Sequence, residues 1–435
     1  MNTFGSPSTI LDRLFTKNND SNKGLFSICS SNHHVIEAGM HVAKQNDSFL
    51  LIESTCNQVN QFGGYSGMTP IDFVNYIRNI SLKNNFPLTK IILGGDHLGP
   101  YPWRSKDYSS ALQNAKQLVR DYVAAGFRKI HLDASMPCLD DDQALNKELS
   151  AKRAVDLCKI AETTLQPGDD LPLYVIGTEV PAPGGQTGSN EKVQITSYQD
   201  ISETIDFFKS RFIQENLASA WERVIAVVVQ PGVDFNDSEI FEYDRAQVGE
   251  LKRFISCYND KVFEAHSTDY QTQFKLRQMV EDKFSILKVG PALTFAFREV
   301  IFGLAKIEEE LLRSNNDYIL SNIIKSISLE MDRKPEYWKN HVTPSNFDIE
   351  VSKLYGFSDR VRYYWNSPDI RSSIYRLICN LEKISIPLSL LSQFLPLQYH
   401  KVREQKLNNT PRDIIIDHII YTLDNYSFAC GFYQP

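Results

Sequence analysis

Lys90-Ile-Ile-Leu-Gly-Gly95, the stretch from Asp107 to Gly126, and Lys129-Ile-His-Leu-Asp133 together read as strand, helix and strand. The two outer runs have strand length and β-branched composition. The middle stretch places Leu112, Ala115, Leu118, Val119 and Tyr122 on one helical face and stops at Gly126, a C-cap residue. The same alternation extends in both directions. Gly24 to Cys29 and Ser48 to Glu53 precede it; Leu173 to Glu179, Val224 to Val229, Lys261 to His266 and Phe284 to Val289 follow. Ser197 to Phe212 and Leu293 to Arg313 are helical segments between and after them. Strand followed by helix, eight times over, predicts a (β/α)8 TIM barrel within an α/β class, with an open doubly wound sheet as the alternative. Beyond about Ser314 the alternation stops. Tyr318 to Asp332, Ser352 to Trp365 and Ser372 to Ile384 read as helices, with Pro335, Pro344, Pro368 and Pro387 between short pieces. The expected division is a barrel over 1–313 and a helical C-terminal extension over 314–435.

Composition narrows the function. The 435 residues carry a formal charge of −7, with 42% apolar and 23% charged residues. That is globular usage, and an acidic chain is not a non-specific binder of nucleic acid or of anionic membranes. No basic and apolar leader opens the sequence, and no run approaches the ~18 apolar residues of a membrane span. The seven cysteines (29, 56, 138, 158, 257, 379 and 430) form no C-x-x-C pair and are odd in number. Scattered reduced thiols of this kind suit the cytoplasm.

In a closed barrel, chemistry collects where strands end. The third strand ends Gly94-Gly95-Asp96-His97-Leu98-Gly99-Pro100, pairing a metal ligand with a proton-transfer carboxylate among glycines that permit close approach. The fourth offers His131 and Asp133, two apart and so on one face. The fifth leads to Glu179 and a Gly184-Gly185 turn whose N–H groups can face an anion. The seventh ends at His266, followed by Ser267, Thr268 and Asp269. The eighth carries Lys288 and ends at Gly290, before a helix whose N-terminus, with Ser267 and Thr268, suits phosphate. Lys288 itself stays open between Schiff-base nucleophile, phosphate contact and structural lysine. These residues point to metal-assisted chemistry on a phosphorylated sugar. Asp96, Asp133 and Glu179 are the candidate acids and bases; His97, Glu179 and His266 are the candidate ligands of a divalent metal (Zn, Mg or Mn). His33, His34, His41, His341, His400 and His418 fall in helical or loop segments, where surface roles are expected.

Gly-Gly-Asp-His-Leu-Gly-Pro (94–100), His-Leu-Asp-Ala-Ser-Met (131–136), Gly-Thr-Glu-Val-Pro-Ala-Pro-Gly-Gly (177–185), Val-Gln-Pro-Gly-Val-Asp-Phe (229–235), Glu-Ala-His-Ser-Thr-Asp-Tyr-Gln (264–271) and Lys-Val-Gly-Pro-Ala-Leu-Thr-Phe-Ala (288–296) resemble the GatZ/KbaZ family. These are the Z subunits of class II D-tagatose-1,6-bisphosphate aldolase, under older labels tagatose-6-phosphate kinases. The resemblance covers nearly the whole chain. It implies a non-catalytic component that supports the activity and stability of a catalytic Y subunit, in galactitol or N-acetylgalactosamine breakdown. By the family's distant similarity to class II aldolases, Asp96 and His97 match the catalytic Asp and a zinc His, and His266 matches a later zinc His. Gln230 stands where another zinc His belongs and is counted with the substrate contacts; Gly290 replaces a substrate-binding Asn. The resemblance also implies a rival: some relatives are ketohexose-6-phosphate 4-epimerases, for which the carboxylates and histidines here suffice. A kinase fits worst, because no G-x-x-x-x-G-K-[ST] loop is present.

Overall fold

The structure is a computed structural model that describes residues 3–15, 23–141, 145–178, 193–341 and 349–433. Eight parallel strands close into a barrel: β1 (Leu25–Ile28), β2 (Leu50–Thr55), β3 (Ile91–Leu98), β4 (Lys129–Leu132), β5 (Leu173–Ile176), β6 (Val224–Val229), β7 (Val262–Ala265) and β8 (Ile286–Val289). β8 pairs with β1 through Leu25↔Ile286 to Ile28↔Val289, which completes the ring. A helix follows every strand, as crossover between parallel neighbours requires. Local chemistry sets their ends. Tyr108–Ala125 begins at Asp107, whose carboxylate accepts from the Ser110 N–H, and stops at Gly126 with φ 101°. Tyr198–Gln214 starts the same way at Ser197.

The two ends of the barrel are closed differently. Helix Ser8–Leu14 plugs the end where the strands begin, putting the fully buried Ile10 against Leu25, Leu51, Ile92, Val175, Ile225 and Ile286. Arg13 fixes this plug to the other end of the chain. Its Nε donates to the Gly24 carbonyl (3.0 Å), Nη2 donates to the Cys430 carbonyl, and the guanidinium lies 4.1 Å from the Phe432 ring centroid. The long helix Pro291–Leu312 and the final helix Pro411–Ala429 pack together, and the latter also lies along His33–Gln45. One apolar core therefore runs from Phe26 through Cys430, without a break at residue 313.

The stretch expected as one helix over 352–365 is divided. Helix Ile349–Tyr355 ends, residues 356–359 break it, and a 3-10 turn follows at Arg360–Tyr363. Asp359 holds a left-handed φ of 45°, fixed by the Thr294 hydroxyl (2.5 Å) and by Arg298 (3.4 Å). The break swings 360–366 over the mouth of the barrel. Among the described residues all seven cysteines are free thiols, and no helix is long and apolar enough to cross a membrane.

Candidate active site at the strand ends

Charged side chains fill the barrel interior toward its C-terminal mouth. Lys129 and Glu264 are fully buried, as is Glu53; the Lys129 ammonium lies 2.6 Å from both Glu53 Oε1 and Glu264 Oε2. Alternation along a strand explains their company: Lys129 and His131 share the inward face of β4, and Glu264 and His266 that of β7. Gly94 makes room in β3, because a Cβ there would sit 2.7 Å from Glu53 Cγ. Lys288 lies against Glu53 and 3.1 Å from Asp96 Oδ2. Burial pushes its pKa down to about 8, against the neighbouring Cys29, which favours the ammonium.

Asp96 and His97 are neighbours in a strand, so regular pleating would send one of them outward. A bulge prevents this. Gly95 pairs with Ile130 and Leu98 with Leu132, so β3 spans with three residues what β4 spans with two. His97 takes φ 50° to accommodate the extra residue, and both side chains enter the same cavity. Ser267, directly after His266, is also left-handed at φ 53°. Backbone strain of this kind clusters at functional sites. Gly99 completes the turn: a Cβ there would fall 1.6 Å from the Asp133 carbonyl oxygen.

The three imidazoles pack ring to ring, with centroids 4.9 to 5.3 Å apart. His97 Nδ1 pairs with Asp133 Oδ2 at 2.9 Å, His131 Nδ1 with Asp96 Oδ1 at 2.9 Å, and His266 Nε2 with Glu264 Oε1 at 3.0 Å. Burial works against charge on Asp96, but His97, His266 and His131 outweigh it and hold the carboxyl well below its ordinary range. Burial likewise opposes protonation of His97, yet Asp96 and Asp133 raise it to about 9. His266 goes the other way, lowered by burial despite Asp96 and Glu264.

Asp96, His131, Glu264 and His266 each offer a donor atom, and the four atoms lie within 4.8 Å of one another. His131 Nε2 is buried and has no hydrogen-bond partner. Two imidazole nitrogens and two carboxylate oxygens suit a divalent cation of the zinc or manganese kind, and the orphaned nitrogen is what such an ion would satisfy. The donor set fits. It overlaps the sequence expectation at His266 alone: His97 is turned to Asp133, and Glu179, Gly184 and Gly185 lie outside the described residues.

The other expected contacts are distributed unevenly. Asp96, His97, His266, Ser267, Lys288 and Gly290 line the cavity. Asp133 stands behind His97. Thr268 faces away, its hydroxyl donating to the Lys288 carbonyl (2.6 Å). Gln230 is used in a turn, its Oε1 accepting from the Gly232 N–H at 2.8 Å. The Gly290 and Ala292 N–H groups, which begin the helix after β8, both donate to Asp269 Oδ1 (3.0 and 2.8 Å). Arg362, Tyr363, Trp365 and Asn366, from the segment over the mouth, also line the cavity. Sequence reading gave no site role to these four, to Glu53, Lys129 or Glu264. Inward parity with His131 and His266 marks Lys129 and Glu264; nothing local marks the others.

The family model described as D-tagatose-1,6-bisphosphate aldolase subunit GatZ/KbaZ-like matches residues 11–431. A crystal structure from Sinorhizobium meliloti, described as a tagatose 6-phosphate kinase, is 38% identical; the match covers 94% of this chain and 100% of that one at a TM-score of 0.86. A fructose-bisphosphate aldolase from Campylobacter jejuni, 10% identical, matches over 88% of this chain and 95% of its own with a TM-score of 0.48. An aldolase from Escherichia coli K12, also 10% identical, matches over 80% and 93% at 0.40. Similarity that slight carries no argument about chemistry, whereas the first two matches span nearly the whole chain. The protein belongs to the GatZ/KbaZ-like family of D-tagatose-1,6-bisphosphate aldolase subunits.

Proposed function

We propose that this chain interconverts ketohexose 6-phosphates at C4, tagatose 6-phosphate with fructose 6-phosphate, in its own barrel. Family membership supports a tagatose-bisphosphate aldolase-related function. The observation that carries the more specific reading is the convergence of Asp96, His131, Glu264 and His266 beneath a cavity, with His131 Nε2 unpartnered. A chain serving only to support another subunit has no need of this buried array. A divalent ion held by these four residues would polarise the ketone oxygen as a Lewis acid.

The remaining chemistry falls to side chains. Removal of the C4 hydroxyl proton lets the C3–C4 bond break; C4 becomes an aldehyde, and the bonding pair stays with C3 of the three-carbon ketone. Re-addition to the opposite face of the aldehyde, with return of the proton, inverts C4 and leaves the atoms balanced. His97 lines the cavity with Asp133 on its Nδ1, so its deprotonated form is placed to take that proton, and the resulting imidazolium, which Asp96 and Asp133 favour, to return it. Lys129 and Lys288 offset the carboxylates Glu53 and Glu264 and keep the array from repelling an anionic ligand.

Incubating the protein with fructose 6-phosphate and Mg²⁺, Zn²⁺ or Mn²⁺ should yield tagatose 6-phosphate, and His97→Ala should abolish it. No product with any metal sinks the reading.

The accessory role remains a second reading, favoured by Gln230: its side chain is committed to a turn at the end of β6, where an aldolase ligand would be expected. On that reading the chain stabilises a catalytic Y subunit, and the galactitol and N-acetylgalactosamine routes are its settings. Co-purification with a Y-type aldolase, and a rise in that enzyme's activity or melting temperature, is the expected result. A Y subunit that neither binds nor changes defeats it.

A further inference from the structure

We infer that the phosphate of the substrate is gripped by Arg362, from the C-terminal segment over the mouth, and not by the loops after β7 and β8. The inference rests on the sugar-phosphate reading above and specifies its charged end. The usual barrel phosphate site is already occupied from within. Asp269 presents a carboxylate to the N–H groups of Gly290 and Ala292, and Thr268 is turned away to the Lys288 carbonyl. An anion there would meet Asp269 instead of open N–H groups.

Besides the imidazoles, two cationic side chains line the cavity among the described residues, Lys288 and Arg362. Lys288 lies against the carboxylates of Glu53 and Asp96 at the floor. Arg362 makes no ion pair with a carboxylate among the described residues. Its Nη1 donates to the carbonyls of Ser358 and Asp359, and its Nη2 to the Tyr363 hydroxyl at 2.9 Å. A guanidinium has five N–H donors, so Nε–H and a second Nη2–H are left without a protein acceptor among the described residues. Nε and Nη2 form one edge of the fork, the geometry that meets two phosphate oxygens side by side.

The surroundings hold the fork in place. The two carbonyl bonds anchor it to the 356–359 break, which Thr294 and Arg298 fix through Asp359. Tyr363 stacks 4.8 Å from Tyr337 and edge-on to Tyr65 at 4.6 Å. Asn366 donates to the Ser66 carbonyl (3.2 Å), tying the same segment to the loop after β2. The arginine is thus pre-positioned above the cavity, opposite the carboxylates at its floor.

Inorganic phosphate is the probe that isolates the grip. Titrated into the protein, it should raise the melting temperature, and Arg362→Gln should abolish that rise. Arg362→Lys, which keeps the charge but loses the fork, should recover part of it. The same variants assayed with fructose 6-phosphate should show KM raised about 10- to 100-fold in Arg362→Gln, with a smaller change in kcat. Equal stabilisation of wild type and Arg362→Gln by phosphate, or of neither, overturns the assignment. If phosphate binding depends on Arg362 but no metal supports epimerisation, the grip stands and the epimerase reading falls. If epimerisation proceeds with KM unchanged in Arg362→Gln, the reverse holds.

Discussion

The barrel's two ends use the same eight strands for opposite purposes. Where the strands begin, Ile10 on a short helix seals an interior of Leu, Ile and Val. Where they end, four carboxylates, two lysines and three histidines share one volume, with backbone strain at His97 and Ser267. The dry end contributes through apolar burial. The wet end gains nothing comparable: each buried ion there is tolerated only while its partners remain. Stability and function are thereby separated along the barrel axis, and substitutions at the two ends should fail in different ways.

The largest expected effect lies at the mouth. His131→Ala removes a donor of the converged set, so metal retained through purification should fall to background by elemental analysis, with turnover down about a thousandfold. Retention of the metal would show that the four atoms do not hold it. Lys129→Met should cost about 3–5 kcal/mol by chemical denaturation, because Glu53 and Glu264 would keep buried charges without their shared partner. Neutral behaviour would mean that the array rearranges freely. At the opposite end, Ile10→Ala should cost about 2–5 kcal/mol while turnover per folded molecule stays level. A matching loss of turnover would erase the contrast between the ends.

The smallest effect concerns the final helix. Burial, helped by Asp417 and opposed by Lys401, raises Asp424 from 3.8 to about 6. A raised carboxyl favours the protonated fold, so its contribution is complete below 3.8 and is lost as pH rises through about 6. Asp424→Asn should therefore raise the melting temperature by about a degree at neutral pH and leave it unchanged near pH 3.5. A gain that persists at the acid end would point to some other cause.

The fold was legible because each strand is a short β-branched run and each intervening helix shows its own stripe and cap, as at Asp107, Ser197 and Gly126. Those signals are local, and local physics sets them. The strand ends also stood out by residue type: Asp96, His97, His131 and His266 do meet. How they meet was not legible. The bulge that brings Asp96 and His97 inward together depends on register against β4. The left-handed Asp359 that breaks the expected 352–365 helix depends on Thr294 and Arg298, about sixty residues earlier. Glu53 gave no sign either, since a glutamate in an apolar run marks an edge or a core ion equally well.

The break at 356–359 has an evolutionary consequence. The groups proposed to move protons are written into the strands, where a change of one residue disturbs neighbours across the sheet. The residues over the mouth come from a separate stretch of gene, fastened at Asp359 and Asn366. Mutation can rewrite that stretch while leaving the strand-borne groups intact, so the rim of the cavity is free to change before its floor does.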